Sequence, residues 1–124
     1  MGASTCLPVA AVLYAGFGLG LLLAPSPFMS VYGVMLDPGG AMMARILGAA
    51  LVGFALLFWM IRAAASSAVT HAVFLSSFVY NVIDLPIVTL ATLTGVMSAM
   101  GWSAVALHVF LAAGFGYLTF GKGG

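Results

Sequence analysis

The stretch AMMARILGAALVGFALLFWMI, residues 41–61, decides the fold. It runs from Ala41 to Ile61 with one charge, Arg45, and no proline. An α-helix needs about 20 consecutive apolar residues to cross the hydrocarbon core of a bilayer. The stretch is continuously apolar and alanine-rich. A membrane β-strand would instead alternate in hydrophobicity over segments of about 10 residues. The reading is therefore a transmembrane helix.

Working outward, the same pattern recurs three times. A first span is expected over about 7–24, a third over about 69–94 and a fourth over about 102–120. Pro25-Ser26-Pro27 ends the first span, because proline cannot continue the helix ladder. An interfacial segment is expected over about 26–38, with Phe28 and Tyr32 in the headgroup layer. Asp37-Pro38-Gly39-Gly40 reads as a turn. Arg62 to Ser67 forms a short connection, Gly95 to Gly101 a further turn, and Gly121-Lys122-Gly123-Gly124 a polar tail. The expected fold is all-α: a single transmembrane domain over residues 1–124, built as a four-helix bundle.

Composition agrees. Of 124 residues, 65% are hydrophobic and only 4% are charged, with mean hydropathy +1.28. Soluble domains carry roughly a quarter charged residues, so the solvent for this chain is lipid. A formal net charge of +1 leaves no basic patch for nucleic acid. The one cysteine, Cys6, permits no intrachain disulfide and reads as packing. Arg62 and Lys122 fall on the same side as the N-terminus if all four spans cross. By the positive-inside rule both termini are then cytoplasmic, or on the equivalent side of an organelle. The bacterial inner membrane, the thylakoid and the mitochondrial inner membrane all fit. Trp59 and Tyr117 are expected at one interface and Trp102 at the other.

Small residues let helices approach closely in lipid. Gly16 and Gly20 form a GxxxG pair on the first span. Ala44/Gly48 and Ala49/Gly53 do the same on the second, and Ala112/Gly116 on the fourth. These are the expected helix-packing positions.

Ionisable residues inside a span are costly, and each is a site hypothesis. Arg45, His71, Asp84 and His108 qualify. Arg45, Asp84 and His108 fall in one half of the membrane, and Asn81 shares a helical face with Ser77 and Asp84. The expectation is a polar cluster of Arg45, Asn81, Asp84 and His108. It acts as a structural lock in which Arg45 neutralises Asp84, or as a binding site. His71 lies too far along the membrane normal to share a haem with His108. A lone His108 could serve as an axial ligand to one chlorophyll or haem, but no metal site is expected. The eight methionines read as gap fillers.

The segments APSPFMSVYGVMLDP (residues 24–38) and ARILGAA (residues 44–50) together resemble small bacterial membrane proteins of the DoxX-like kind. There too a first span ends at an apolar-proline turn, an interfacial segment follows, and the second span opens with an arginine near a Gly/Ala cluster. The resemblance covers about the first half of the chain. It implies a four-helix bundle and assigns no functional residue.

No catalytic motif is present, and two carboxylates in the whole chain leave little for acid–base chemistry. An enzyme is not expected. The leading expectation is a non-catalytic accessory subunit of a larger membrane complex, photosynthetic or respiratory, contacting lipid and other subunits. The alternative is a small protein that binds or transports a lipid, quinone or solute at the polar cluster. Bound lipid, quinone or chlorophyll are the ligands these readings imply.

Overall fold

The computed structural model describes residues 2–64 and 67–121. Lys122, on which the expected orientation partly rests, lies outside the described residues, as does Ser66 of the second connection. Among the described residues five helices follow one another: α1 (Ala3–Leu23), α2 (Pro25–Ser30), α3 (Pro38–Ile61), α4 (Ala68–Leu93) and α5 (Gly101–Phe120). Four of them, all but α2, are long and apolar enough to cross a membrane. The chain is an all-α, four-helix membrane bundle.

Local chemistry sets the helix ends. Ala24 closes α1, and Pro25 takes the first position of α2, where a missing N–H costs nothing. Asp37 stands outside α3 as its N-cap: its side chain accepts from the Gly40 N–H at 2.6 Å. The expected turn is thus the cap of a helix that starts at Pro38, earlier than expected. Ser67 and Thr70 form a reciprocal capping box on α4. Arg62, just past α3, donates to the Trp59 carbonyl, and its guanidinium lies 3.8 Å above the Trp59 ring centre. A cation there also faces the negative end of the helix dipole. Pro86 sits inside α4 without ending it.

The long helices pack as two hairpins. α1 pairs with α3, and α4 pairs with α5. Both pairs are antiparallel. Gly18 lies against Gly48 and Val52, while Tyr14, earlier on α1, meets Phe58, later on α3. In the second hairpin Gly116 lies against Phe78 and Gly101 against Thr92. The core runs between the hairpins. Phe58 and Phe115, both wholly buried, have ring centres 5.3 Å apart and join α3 to α5. Cys6 is buried in the same core, as its packing role requires.

The close approaches fall partly on other residues than the GxxxG reading names. A side chain on Gly16 or Gly53 would meet nothing. Gly18 and Gly48 form the real α1–α3 crossing. Gly20 instead leaves room for the Phe28 ring, and Gly116 for Phe78. Ala112 is buried.

The segment after α1 also departs from expectation. Phe28 is edge-on to Phe17, with centres 5.4 Å apart, and Tyr32 tilts against both rings. These aromatics turn into the bundle and do not lie outward. A backbone bond from the Ser98 N–H to the Tyr32 carbonyl, 2.7 Å long, ties this segment to the α4–α5 turn. Gly33 makes the contact by adopting φ +75°, a region open to glycine without strain. Trp59, Trp102 and Tyr117 face outward from the bundle.

Candidate functional site

Asn81 is the polar centre of the bundle, and none of it is exposed. Its amide nitrogen donates to the Ser77 carbonyl at 2.8 Å and to the Tyr14 hydroxyl at 3.1 Å. A carbonyl oxygen can only accept, so the side facing Ser77 is necessarily the NH2 group. The amide oxygen then faces His108, whose Nδ1 lies 2.8 Å away. An amide oxygen also only accepts, so His108 Nδ1 carries a hydrogen and donates it. Nε2 is left on the other side of the ring. It faces the Asp84 carboxylate, with Oδ2 at 3.6 Å. At that distance the two groups face each other but stand too far apart for a hydrogen bond.

Helical spacing assembles the group. Ser77, Asn81 and Asp84 lie on one face of α4, one turn apart. Tyr14 reaches them from α1 and His108 from α5. The Tyr14–Asn81 bond thereby links the two hairpins. Tyr80, on the same stretch of α4, has its ring centre 6.3 Å from that of Tyr14 and 6.4 Å from that of His108.

Above this network lies a cavity of about 190 Å³ that is half open to the outside. Tyr14, Tyr80, Asp84 and His108 form its polar side. Leu13, Phe17 and Leu21 of α1 wall it on one flank, and Val88 of α4 with Leu107 and Leu111 of α5 on the other. Leu47 and Leu51 close it from α3. Phe28, Met29 and Tyr32 cover the end that carries α2, together with Met97 from the α4–α5 turn. An apolar cavity of about 150 Å³ can hold a benzene molecule, so this space takes a single-ring molecule with a short arm.

The structure brings three of the four expected cluster residues together: Asn81, Asp84 and His108. Arg45 is elsewhere. It is exposed on α3 beside Met42, Ile46 and Ala49, about 10 Å along the axis from Pro38. The expected pairing of Arg45 with Asp84 is therefore absent, and His108 is the group that faces the carboxylate. The cause is rotational. The cavity-facing side of α3 presents Leu47 and Leu51, while Arg45 points outward, where a long side chain can carry its charge toward the headgroups. His71 is exposed near the start of α4, away from this group.

Sequence reasoning missed Tyr14 and Tyr80. Each is a lone tyrosine in an apolar run, and nothing local marks it as facing inward. Phe28 and Tyr32, interfacial by their sequence, instead line the cavity.

The fold and its buried polar centre define a class, a polytopic membrane bundle with a half-open pocket beside that centre. Beyond the class, the chain matches no protein-family model, no curated protein and no solved structure.

Proposed function

We propose that this protein binds a small amphipathic molecule inside the bundle. Its apolar body occupies the 190 Å³ cavity, and its polar head meets Tyr14, Asp84 and His108. One observation carries this reading: the cavity is apolar and aromatic on most sides yet ends on a cluster of hydrogen-bonding and ionisable groups. Binding sites for small molecules have that make-up, a mainly apolar pocket with a few convergent polar groups. A purely structural lock would need the polar groups but not the empty space above them.

Filling the space tests the reading. Ala104 is buried and lines the cavity. Ala104→Phe should abolish binding of a single-ring compound such as benzyl alcohol, measured by calorimetry in detergent, while the helical circular dichroism is kept. Unchanged binding in a folded Ala104→Phe protein would sink the proposal.

A second reading, an accessory subunit of a larger membrane complex, is favoured by Gly16 and Gly53. Both lie bare on the outer surface of the first hairpin, where another chain could approach closely. Native gels of the protein extracted from its own membrane test it. A species of four-helix size alone would count against this second reading.

A further inference from the structure

We propose that the outer groove of the first hairpin binds an anionic phospholipid, with one acyl chain between α1 and α3 and the phosphate on Arg62. This surface is apart from the cavity, and its role does not depend on what the cavity holds.

The groove comes from a pattern of side-chain size. Ala11 of α1 and Ala55 of α3 form its floor, only 5% and 6% exposed. Val12, Leu19, Leu56 and Trp59 stand along its rims and are exposed. The space between them is shallow and open, with a volume of about 450 Å³. Ala11 and Leu19 both line it and lie about 12 Å apart along the helix axis. Half of the hydrocarbon core is about 15 Å, so the groove fits within one leaflet. An acyl chain laid in it touches the protein on its floor and both rims, and each such contact adds dispersion energy.

Trp59 joins this groove to a charge. It lines the end of the groove nearest the C-terminus of α3, and the Arg62 guanidinium lies 3.8 Å above the centre of its ring. Arg62 also donates to the Trp59 carbonyl, which holds the guanidinium over the ring. A guanidinium has five N–H donors, so others are left for an anion. The chain has two carboxylates, and neither meets Arg62. Asp37 caps the opposite end of α3, and Asp84 lines the cavity. The protein therefore supplies no counter-charge to Arg62. α1 starts at the same face of the bundle with no side-chain cap and no acidic residue in its first turn. Its free N–H groups add positive potential there.

The occupant follows from these two features together. It has an apolar chain of leaflet depth and a negative group at the level of the helix ends. A phosphate can take two parallel N–H bonds from one guanidinium. A headgroup without an ammonium, such as that of phosphatidylglycerol, supplies the missing negative charge. The choline of phosphatidylcholine would bring a second cation to a face that has no acid for it.

Trp59 lies in the groove, so its fluorescence reads the occupant. Trp102 is the other tryptophan. It stands near the start of α5, at the opposite face, and Trp102→Phe removes its signal. This full-length protein would be reconstituted in phosphatidylcholine vesicles. A minor fraction of the lipid, either phosphatidylglycerol or phosphatidylcholine, carries brominated acyl chains, which quench tryptophan at contact. Brominated phosphatidylglycerol is expected to quench Trp59 with about fivefold higher affinity, the factor that one basic residue gives at a membrane surface. Adding Arg62→Gln should make the two lipids equal. Adding Ala15→Phe, which puts a ring into the groove and leaves Arg62 in place, should also lower the preference. If Ala15→Phe does not fold, the comparison with Arg62→Gln decides alone. Equal quenching by the two lipids before Arg62 is changed would overturn the proposal, as would a preference that survives Arg62→Gln. A preference that survives in folded Ala15→Phe protein would overturn the groove assignment and leave a headgroup contact only. Quenching by neither lipid would mean that another protein chain covers the groove, and the proposal would fall.

Discussion

Gly18 and Gly48 meet across the α1–α3 crossing so closely that a methyl group on either would press on the backbone of the other helix. A Cβ on Gly18 would lie 2.8 Å from the Gly48 carbonyl oxygen and 2.9 Å from the Val52 nitrogen. One on Gly48 would lie 2.6 Å from the Gly18 carbonyl oxygen. Backbone atoms cannot rotate away as a side chain can. Gly18→Ala and Gly48→Ala should each cost about 1–3 kcal/mol, the usual range for overpacking. Gly16→Ala and Gly53→Ala, which add a methyl in open space, should stay within about 0.5 kcal/mol. Unfolding of the four variants in mixed detergent checks this. Equal effects at Gly16 and Gly18 would mean that the crossing is misplaced.

Asn81 satisfies partners on three helices, so its loss should be felt throughout the bundle. Asn81→Leu keeps the volume approximately and removes every hydrogen bond. His108 Nδ1 and the Tyr14 hydroxyl would lose their contacts to it, each at a cost of about 1–3 kcal/mol. A stability loss of about 3 kcal/mol in total is expected. A folded variant of unaltered stability would show that the network is dispensable.

Arg45 and Asp84 should be energetically independent. Their side chains point to different surfaces, Arg45 outward from α3 and Asp84 into the cavity. In a double-mutant cycle of Arg45→Gln and Asp84→Asn, the coupling energy should fall below about 0.5 kcal/mol. The corresponding cycle of Asp84→Asn with His108→Gln should exceed it, since those two groups face each other. A large Arg45–Asp84 coupling would restore the ion-pair lock.

Gly33 and Gly95 give a matched pair of turns. Both have positive φ, +75° and +81°, where an L side chain costs about 1 kcal/mol or more. They differ in surroundings. A Cβ on Gly33 would lie 2.9 Å from Ser98 Cβ, whereas one on Gly95 meets nothing. Gly33→Ala should therefore destabilise more than Gly95→Ala. It should also loosen the cover formed by Phe28 and Tyr32, raising the off-rate of a cavity ligand. Equal off-rates in the two variants would separate the cover from the Gly33–Ser98 contact.

The candidate site was only partly legible from the chain. Asp84, Asn81 and His108 stood out because polar residues are rare in these spans, and counting turns along each helix placed them at similar depth. Depth is an axial coordinate, and hydropathy with helix length determines it well. Facing is an angular coordinate. Arg45 shares a half of the membrane with Asp84 but not a direction, and axial position alone does not separate them.

The amino-acid sequence by itself determined that this is a membrane chain of four spanning helices. It also determined where they stop, because hydrophobic length, proline, glycine and capping side chains act over a few residues. Only the tertiary structure decided which side of each helix faces inward. Helices that are apolar all round carry no strong stripe to set their rotation, and lipid does not distinguish one apolar face from another. Packing sets it instead. The Gly18–Gly48 contact turns α1 and α3 so that Tyr14 faces Asn81, Leu51 faces the cavity and Arg45 faces the lipid.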